Sequence, residues 1–409
     1  MSGTPSHEIA VFPRCPAVAA GRLRQPHPAP AGHTVPAGQP AGRPGRTGPG
    51  RQHAAAHPEH PTQRGAAEKA ALPPAQLLDR LLPDYVKPRS GWRDDIVNAF
   101  TALQLPPTAE NFCAVIAVIE QESTFQADPV VPGLPAIVWN KIGEKVAGYH
   151  IPLPLVKAAL LKPSPTGESY KSRIDSLRTE REMNDLFEDM AAEAGKLDLP
   201  VGMKNPINTV GSMQVSVAFA QSHVRAWPYP YRYQGSLRNE AFSRRGGIYF
   251  GTANLLHYPA GYRDMIYRFA DFNAGRYSSR NAAFQLAVAQ LSGRKLVPDG
   301  DLLRYRDGLP SGEASSTERA LYRMSQRLGL SDSAILHDLK QEKNSSFSQS
   351  TLYQKVMALA DQQQGRKVAR EAFPQIRLNS PKITRKLTTE WFAKRVGWRY
   401  DNCLKRSPQ

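Results

Sequence analysis

From residue 72 onward, apolar residues recur at the spacing of an α-helix and almost nowhere alternate as they would along a strand. Such a chain must bury its apolar stripes by packing helix on helix. "PPAQLLDRLLP" repeats Leu at that spacing, and "SGWRDDIVNAFTAL" starts at Ser90, a residue suited to an N-cap. "PPTAENFCAVIAVIEQES" starts at Thr108, with Pro107 before it and Glu110 in the first turn, where negative charge suits the helix dipole. Further helices are expected over 152–162, 173–195, 213–224, 247–257, 262–272, 279–292, 316–328, 332–342, 350–362 and 387–399. No repeat of fixed period is present, and the expected fold is mostly α.

Residues 1–70 differ from the rest. They hold 12 of the 35 prolines, 9 of the 30 glycines, 6 of the 10 histidines and one aromatic residue, Phe12. Such a segment cannot bury enough apolar surface to offset its ordering entropy, so it is expected to be disordered. Its clustered His53, His57 and His60 are an accident of composition rather than a metal site. No apolar core long enough for a signal peptide precedes Cys15. The longest clean apolar run, Phe112 to Ile119, is far short of the ~20 residues of a membrane span.

Lys and Arg number 53 against 36 Asp and Glu, a formal charge of +17. The excess is spread along the chain, which describes a basic surface rather than a patch aimed at nucleic acid. Cys15, Cys113 and Cys403 form no C-x-x-C pair, so a zinc or thioredoxin-like reading has no support. Cys113 and Cys403 are either bridged in an oxidising compartment or two buried thiols. Serine-hydrolase, P-loop and zinc-protease signatures are absent.

One residue breaks the helical pattern. Phe112, Val115, Ile116 and Ile119 define an apolar stripe, and Glu122 continues it, three residues after Ile119 and seven after Val115. Glu120 points away and reads as a surface carboxylate. Burial and the nearby helix C-terminus both disfavour the charged form of Glu122. A carboxylic acid kept protonated near neutral pH is what a general acid requires. The competing reading is a structural Glu, paired with an Arg or turned into water at the helix end.

Two later stretches bear on that choice. "VGSMQVSVAF" carries Gly211, Ser212, Met213 and Gln214 where a loop enters a helix, and "YRFADFNAGRY" carries Phe272, Asn273, Ala274 and Gly275 where a helix ends. The order "QES", "GSMQ", "FNAG" resembles the three signatures of the lysozyme-like lytic transglycosylases. That family carries Glu-Ser, then Gly-Leu-Met-Gln, then Tyr-Asn-Ala-Gly. The resemblance implies a lysozyme-like helical core, with Glu122 as catalytic acid and base and no metal or cofactor. It implies that Ser123 orients the reacting sugar, that Met213 and Gln214 line the glycan cleft, and that Asn273 contacts substrate. Arg276 follows the third motif closely enough to reach substrate or to cap the helix end. The chain departs from the family at Ser212, at Phe272, and in the long stretch 124–210 between the first two motifs. This stretch implies a helical insertion over about 130–205, packed beside the cleft as a lid or subdomain. The core, over "ENFCAVIAVIEQESTFQADP" and "YRFADFNAGRYSSRNAAFQ", is also similar to a bacterial family of predicted lipoproteins of unknown function.

The reaction implied is scission of a peptidoglycan glycan strand with a 1,6-anhydro product, in the cell envelope or periplasm, with envelope proteins as further partners. A hydrolase would need a second carboxylate to position water; Asp128, Asp264 and Asp271 are the candidates, against surface or capping roles for each. Residues 225–247 interleave Trp227, Tyr229, Tyr231 and Tyr233 with Arg225, Arg232, Arg244 and Arg245. Such a pattern suits sugar rings and stem-peptide carboxylates, or single-stranded nucleic acid, or plain packing on the core. The rival functions are an inactive peptidoglycan-binding or envelope scaffold protein and, with no motif to support it, a nucleic-acid-binding protein. The expected organisation is a disordered 1–70, a core over 71–300 and a helical extension over 301–409.

Overall fold

The computed structural model describes residues 72–196, 205–306, 309–378 and 387–408. The expectation for residues 1–70, with Cys15 and the histidine cluster, lies outside the described residues. The described chain is mostly helical, with three short hairpins.

The first layer is α1 (Pro74–Leu81), α2 (Arg89–Ala102) and α3 (Ala109–Glu122). Ser90 does not cap α2: Pro88 occupies the cap position and Ser90 lies in the first turn. Proline's fixed φ suits the start of a helix, which moves the boundary forward. Thr108 caps α3 as expected, accepting from the Asn111 amide at 3.3 Å. The single apolar stripe expected on α3 is too narrow a description. Every residue from Phe112 to Ile119 is fully buried, so α3 is the central helix, wrapped on all sides. Glu120 is correspondingly half-buried, hydrogen-bonded to Tyr85 and near Arg399.

The insertion holds α4 (Leu134–Ala147), α5 (Leu153–Ala159), α6 (Tyr170–Asp175) and α7 (Glu180–Lys196). One helix is expected over 173–195; the structure breaks it at 176–179. Thr179 accepts from the Glu182 amide at 3.2 Å, and Glu182 accepts from the Thr179 amide at 3.1 Å, a reciprocal cap that starts a new helix. Leu134, Trp139, Tyr170, Ile174, Leu177 and Leu186 form a small core of their own. At the neck of the insertion Val130 bridges Thr179, and the Val131 amide donates to the Arg178 carbonyl at 2.7 Å.

Beyond it, β1 (Thr209–Val210) and β2 (Val215–Ser216) pair antiparallel with Val210 opposite Val215, and α8 (Val217–Ala226) follows directly. The helix expected from 213 starts at 217, because 211–214 is the hairpin turn. Next come α9 (Leu237–Phe242), α10 (Arg244–Leu256), α11 (Met265–Ala274) and α12 (Ser278–Ser292). The hairpin β3 (Tyr305–Arg306) and β4 (Leu309–Pro310) leads to α13 (Ser316–Tyr322), α14 (Ser325–Leu328), α15 (Asp332–Leu339) and α16 (Thr351–Gln364). β5 (Arg377–Leu378) and β6 (Leu387–Thr388) then deliver α17 (Thr389–Leu404).

Two main cores result. One gathers α1–α3, α8–α11 and α17; the other gathers α12–α16 around Phe284, Leu321, Phe347 and Val356. α12 already belongs to the second core, and the last helix of the expected extension returns to the first. Cys113 and Cys403 form a disulfide between α3 and α17, with Cα atoms 5.5 Å apart. That settles the choice between bridge and free thiols. Both sulfurs are fully buried where the two helices pack.

Candidate active site

Glu122 is the last residue of α3 and is 4% exposed. Its Oε2 has no hydrogen-bond partner among the described residues. Burial and the neighbouring Glu180 charge push its carboxyl well above the usual carboxylate range. The α3 C-terminus acts in the same direction. The chain then leaves the helix through two consecutive left-handed residues, Thr124 (φ 50) and Phe125 (φ 58). Neither is glycine and Thr124 is β-branched, so each costs about 1–3 kcal/mol. Phe125 is held there by edge-to-face contact with Trp92, ring centroids 5.1 Å apart.

The second motif is the β1–β2 turn. Gly211 has φ 75, and a Cβ there would collide with the Ala241 carbonyl. Only glycine fits. Gln214 is also left-handed, at φ 50. Its Oε1 accepts from Thr209 Oγ1 at 3.0 Å, and its Nε2 donates to Glu180 Oε2 at 3.4 Å. Glu180 is thus the residue on which Glu122 and Gln214 converge. Sequence reasoning missed it because no motif marks the insertion. The only sequence signal is the Thr179-x-x-Glu182 capping box, which sets Glu180 at the first position of a helix.

The remaining candidates are placed differently. Ser123 is buried and donates its hydroxyl back to the Ile119 carbonyl at 3.1 Å. Met213 is fully buried against α10, filling the space that a side chain on Gly251 would need. Asn273 ends α11 and accepts from Thr389 Oγ1 at 2.9 Å, tying that helix end to α17. Arg276 caps a helix end, but that of α10 rather than its own. Its guanidinium donates to the carbonyls of Ala253 and Asn254 and lies over the Phe219 and Tyr258 rings.

The three expected second carboxylates are each engaged elsewhere. Asp271 is fully buried and accepts from the hydroxyls of Tyr258 and Tyr262 and the amides of Tyr277 and Ser279. These four bonds tie the start of α12 to the 258–262 segment. Asp128 is exposed at the insertion neck, beside Thr179, Arg181, Glu182 and Asp185. Asp264 caps α11, accepting from the Ile266 amide at 2.9 Å.

The aromatic and arginine stretch packs largely inward. Tyr229 donates to Glu240 Oε1 at 2.6 Å and stacks on Phe250, Arg245 pairs with the same Glu240, Arg244 pairs with Asp95, and Trp227 donates to the Ala102 carbonyl. Tyr233 and Arg232 remain exposed. Among the described residues no cluster of His, Cys, Asp or Glu has the makings of a metal site.

With this geometry in hand, comparison with known proteins identifies the chain's relatives. No solved structure matches it. A protein of Escherichia coli (strain K12) described as "Uncharacterized protein YaiW" is 47% identical over 336 residues, covering 82% of this chain and 91% of that protein. The family described as "Protein of unknown function (DUF1615)" matches residues 85–406, from the α1–α2 connection through α17, so the chain belongs to that family.

Proposed function

We propose that this protein cleaves glycan strands of the peptidoglycan type, with Glu122 as the single proton donor and acceptor. The observation that carries the reading is a buried carboxyl at a helix end, pushed well above the usual carboxylate range, with one oxygen unengaged by the described residues. It is supported by Gln214, in the second motif, reaching the same place through Glu180.

Glu122 donates its proton to the glycosidic oxygen between N-acetylmuramic acid and N-acetylglucosamine. The C–O bond breaks and its electron pair stays on the leaving oxygen. The substrate's acetamido carbonyl shares the positive charge at the anomeric carbon. The Glu122 carboxylate then takes the proton from the 6-hydroxyl, whose oxygen closes the 1,6-anhydro ring. The left-handed turn at Thr124 and Phe125 is consistent with a site where backbone strain positions a reacting group. The α3–α17 disulfide supports an oxidising compartment such as the cell envelope.

A second reading, an inactive peptidoglycan-binding or envelope scaffold, is favoured by Ser123, Met213 and Arg276 being engaged inside the protein. Incubation of the full chain with purified sacculi, followed by mass analysis of the muropeptides, separates the two. Fragments one water lighter than lysozyme products support the lytic route, and hydrated ends indicate a hydrolase. No release above a Glu122→Gln control favours the scaffold.

A further inference from the structure

The chain's route out of α3 brings an unexpected carboxylate to the site. After Glu122 it passes Thr124 and Phe125, pairs Val130 and Val131 with Arg178 and Thr179, and encloses the insertion in that neck. The residue immediately after the paired strand is Glu180, at the start of α7. Its carboxylate is held toward the second motif by Gln214 Nε2. We propose that Glu180 is the second carboxylate of this site, which faces the anomeric carbon and steadies its positive charge while Glu122 handles the proton. The inference rests on the glycan-cleaving reading above.

The two carboxylates have opposite surroundings. Glu122 stands at a helix C-terminus, buried in the core, and favours its neutral form. Glu180 stands at the first position of α7, where a negative charge suits the helix dipole. The neighbouring Glu180 charge makes it harder for Glu122 to lose its proton. Arg181, Glu182 and Asp185 lie around Asp128, and Arg178 also belongs to the neck. Glu180 comes from the segment that sets this chain apart from the motif family, and its role differs from the water-positioning one for which Asp128, Asp264 and Asp271 are the sequence candidates.

The test is Glu180→Gln in the full chain, assayed on sacculi from pH 4 to 9 beside the wild type and Glu122→Gln. The amide keeps an acceptor for Gln214, and Glu180→Asp, which keeps the charge, serves as the conservative variant. Glu180→Gln is expected to lower kcat roughly 10- to 100-fold with little change in KM. Its activity should fall off at lower pH than that of the wild type, and Glu180→Asp should restore the wild-type limb. In a carboxyl 13C titration, Glu122 should lose its proton at lower pH in Glu180→Gln. A wild-type chain that cleaves while Glu180→Gln matches it in rate and pH limb overturns this inference alone. A wild-type chain that releases nothing overturns the reading beneath it and this inference together.

Discussion

A buried carboxyl whose folded form binds its proton more tightly than the unfolded chain does stabilises the protein only at low pH. For Glu122 that contribution is full below the unfolded value near 4.5 and is lost as pH rises through the higher folded value. Glu122→Gln should therefore raise Tm at pH 7–8 by roughly 2–4 °C per kcal/mol released, with the gain vanishing below about pH 4.5. The same variant should lose about 10²- to 10⁴-fold in cleavage rate, the usual worth of a general acid. Melting curves across pH, beside the sacculus assay, check both; a variant less stable than wild type at pH 8 contradicts a neutral, unpaired Glu122. His223 works in the opposite direction. Burial, with Arg276 and His257 nearby, pushes its imidazole down to about 3. Its neutral folded form contributes stability above the unfolded value near 6.5, and that stability is lost as pH falls toward 3. Wild type should lose denaturant midpoint over that window, and His223→Phe should lose less. The Glu122 position is legible in the sequence because a charge at a core-facing helical spacing is conspicuous. The demands on His223 come from rings on α10 that no local pattern announces.

Helices and their boundaries follow local rules until a turn or cap intervenes. α3, α12, α15 and α16 stand close to where periodicity places them. The helix expected over 173–195 divides because a reciprocal cap at Thr179 and Glu182 outweighs continuous periodicity. The helix expected from 213 starts late because Gly211 and Gln214 adopt left-handed conformations that close a hairpin. That hairpin gives the element-scale prediction. Gly211→Ala puts a Cβ against the Ala241 carbonyl in an unfavourable backbone conformation. It should cost at least about 2 kcal/mol in urea unfolding and should impair cleavage by displacing Gln214. An unchanged urea midpoint would mean that the turn is not held as described.

At the scale of the whole molecule, α17 closes the first core against α3 and α11, and the Cys113–Cys403 bridge joins it to α3 across a sequence separation of 290 residues. Replacing both cysteines with alanine should cost about 2–5 kcal/mol, visible as a lower Tm that dithiothreitol no longer changes. Equal stability of the oxidised and reduced wild type contradicts that role for the bridge. The sequence by itself determined the helical class, most of the helices and the standing of Glu122, because those depend on periodicity and on near neighbours in the chain. It left Cys113 and Cys403 open, pointed to Asp128, Asp264 and Asp271 as second carboxylates, and marked Glu180 only by the capping box beside it. Those matters turn on which distant segments share a wall: α17 returning past the second core, Asp271 enclosed by two tyrosines and the start of α12, and an insertion whose neck closes beside α3. Packing between residues far apart in the chain decides them, and only the tertiary structure records it.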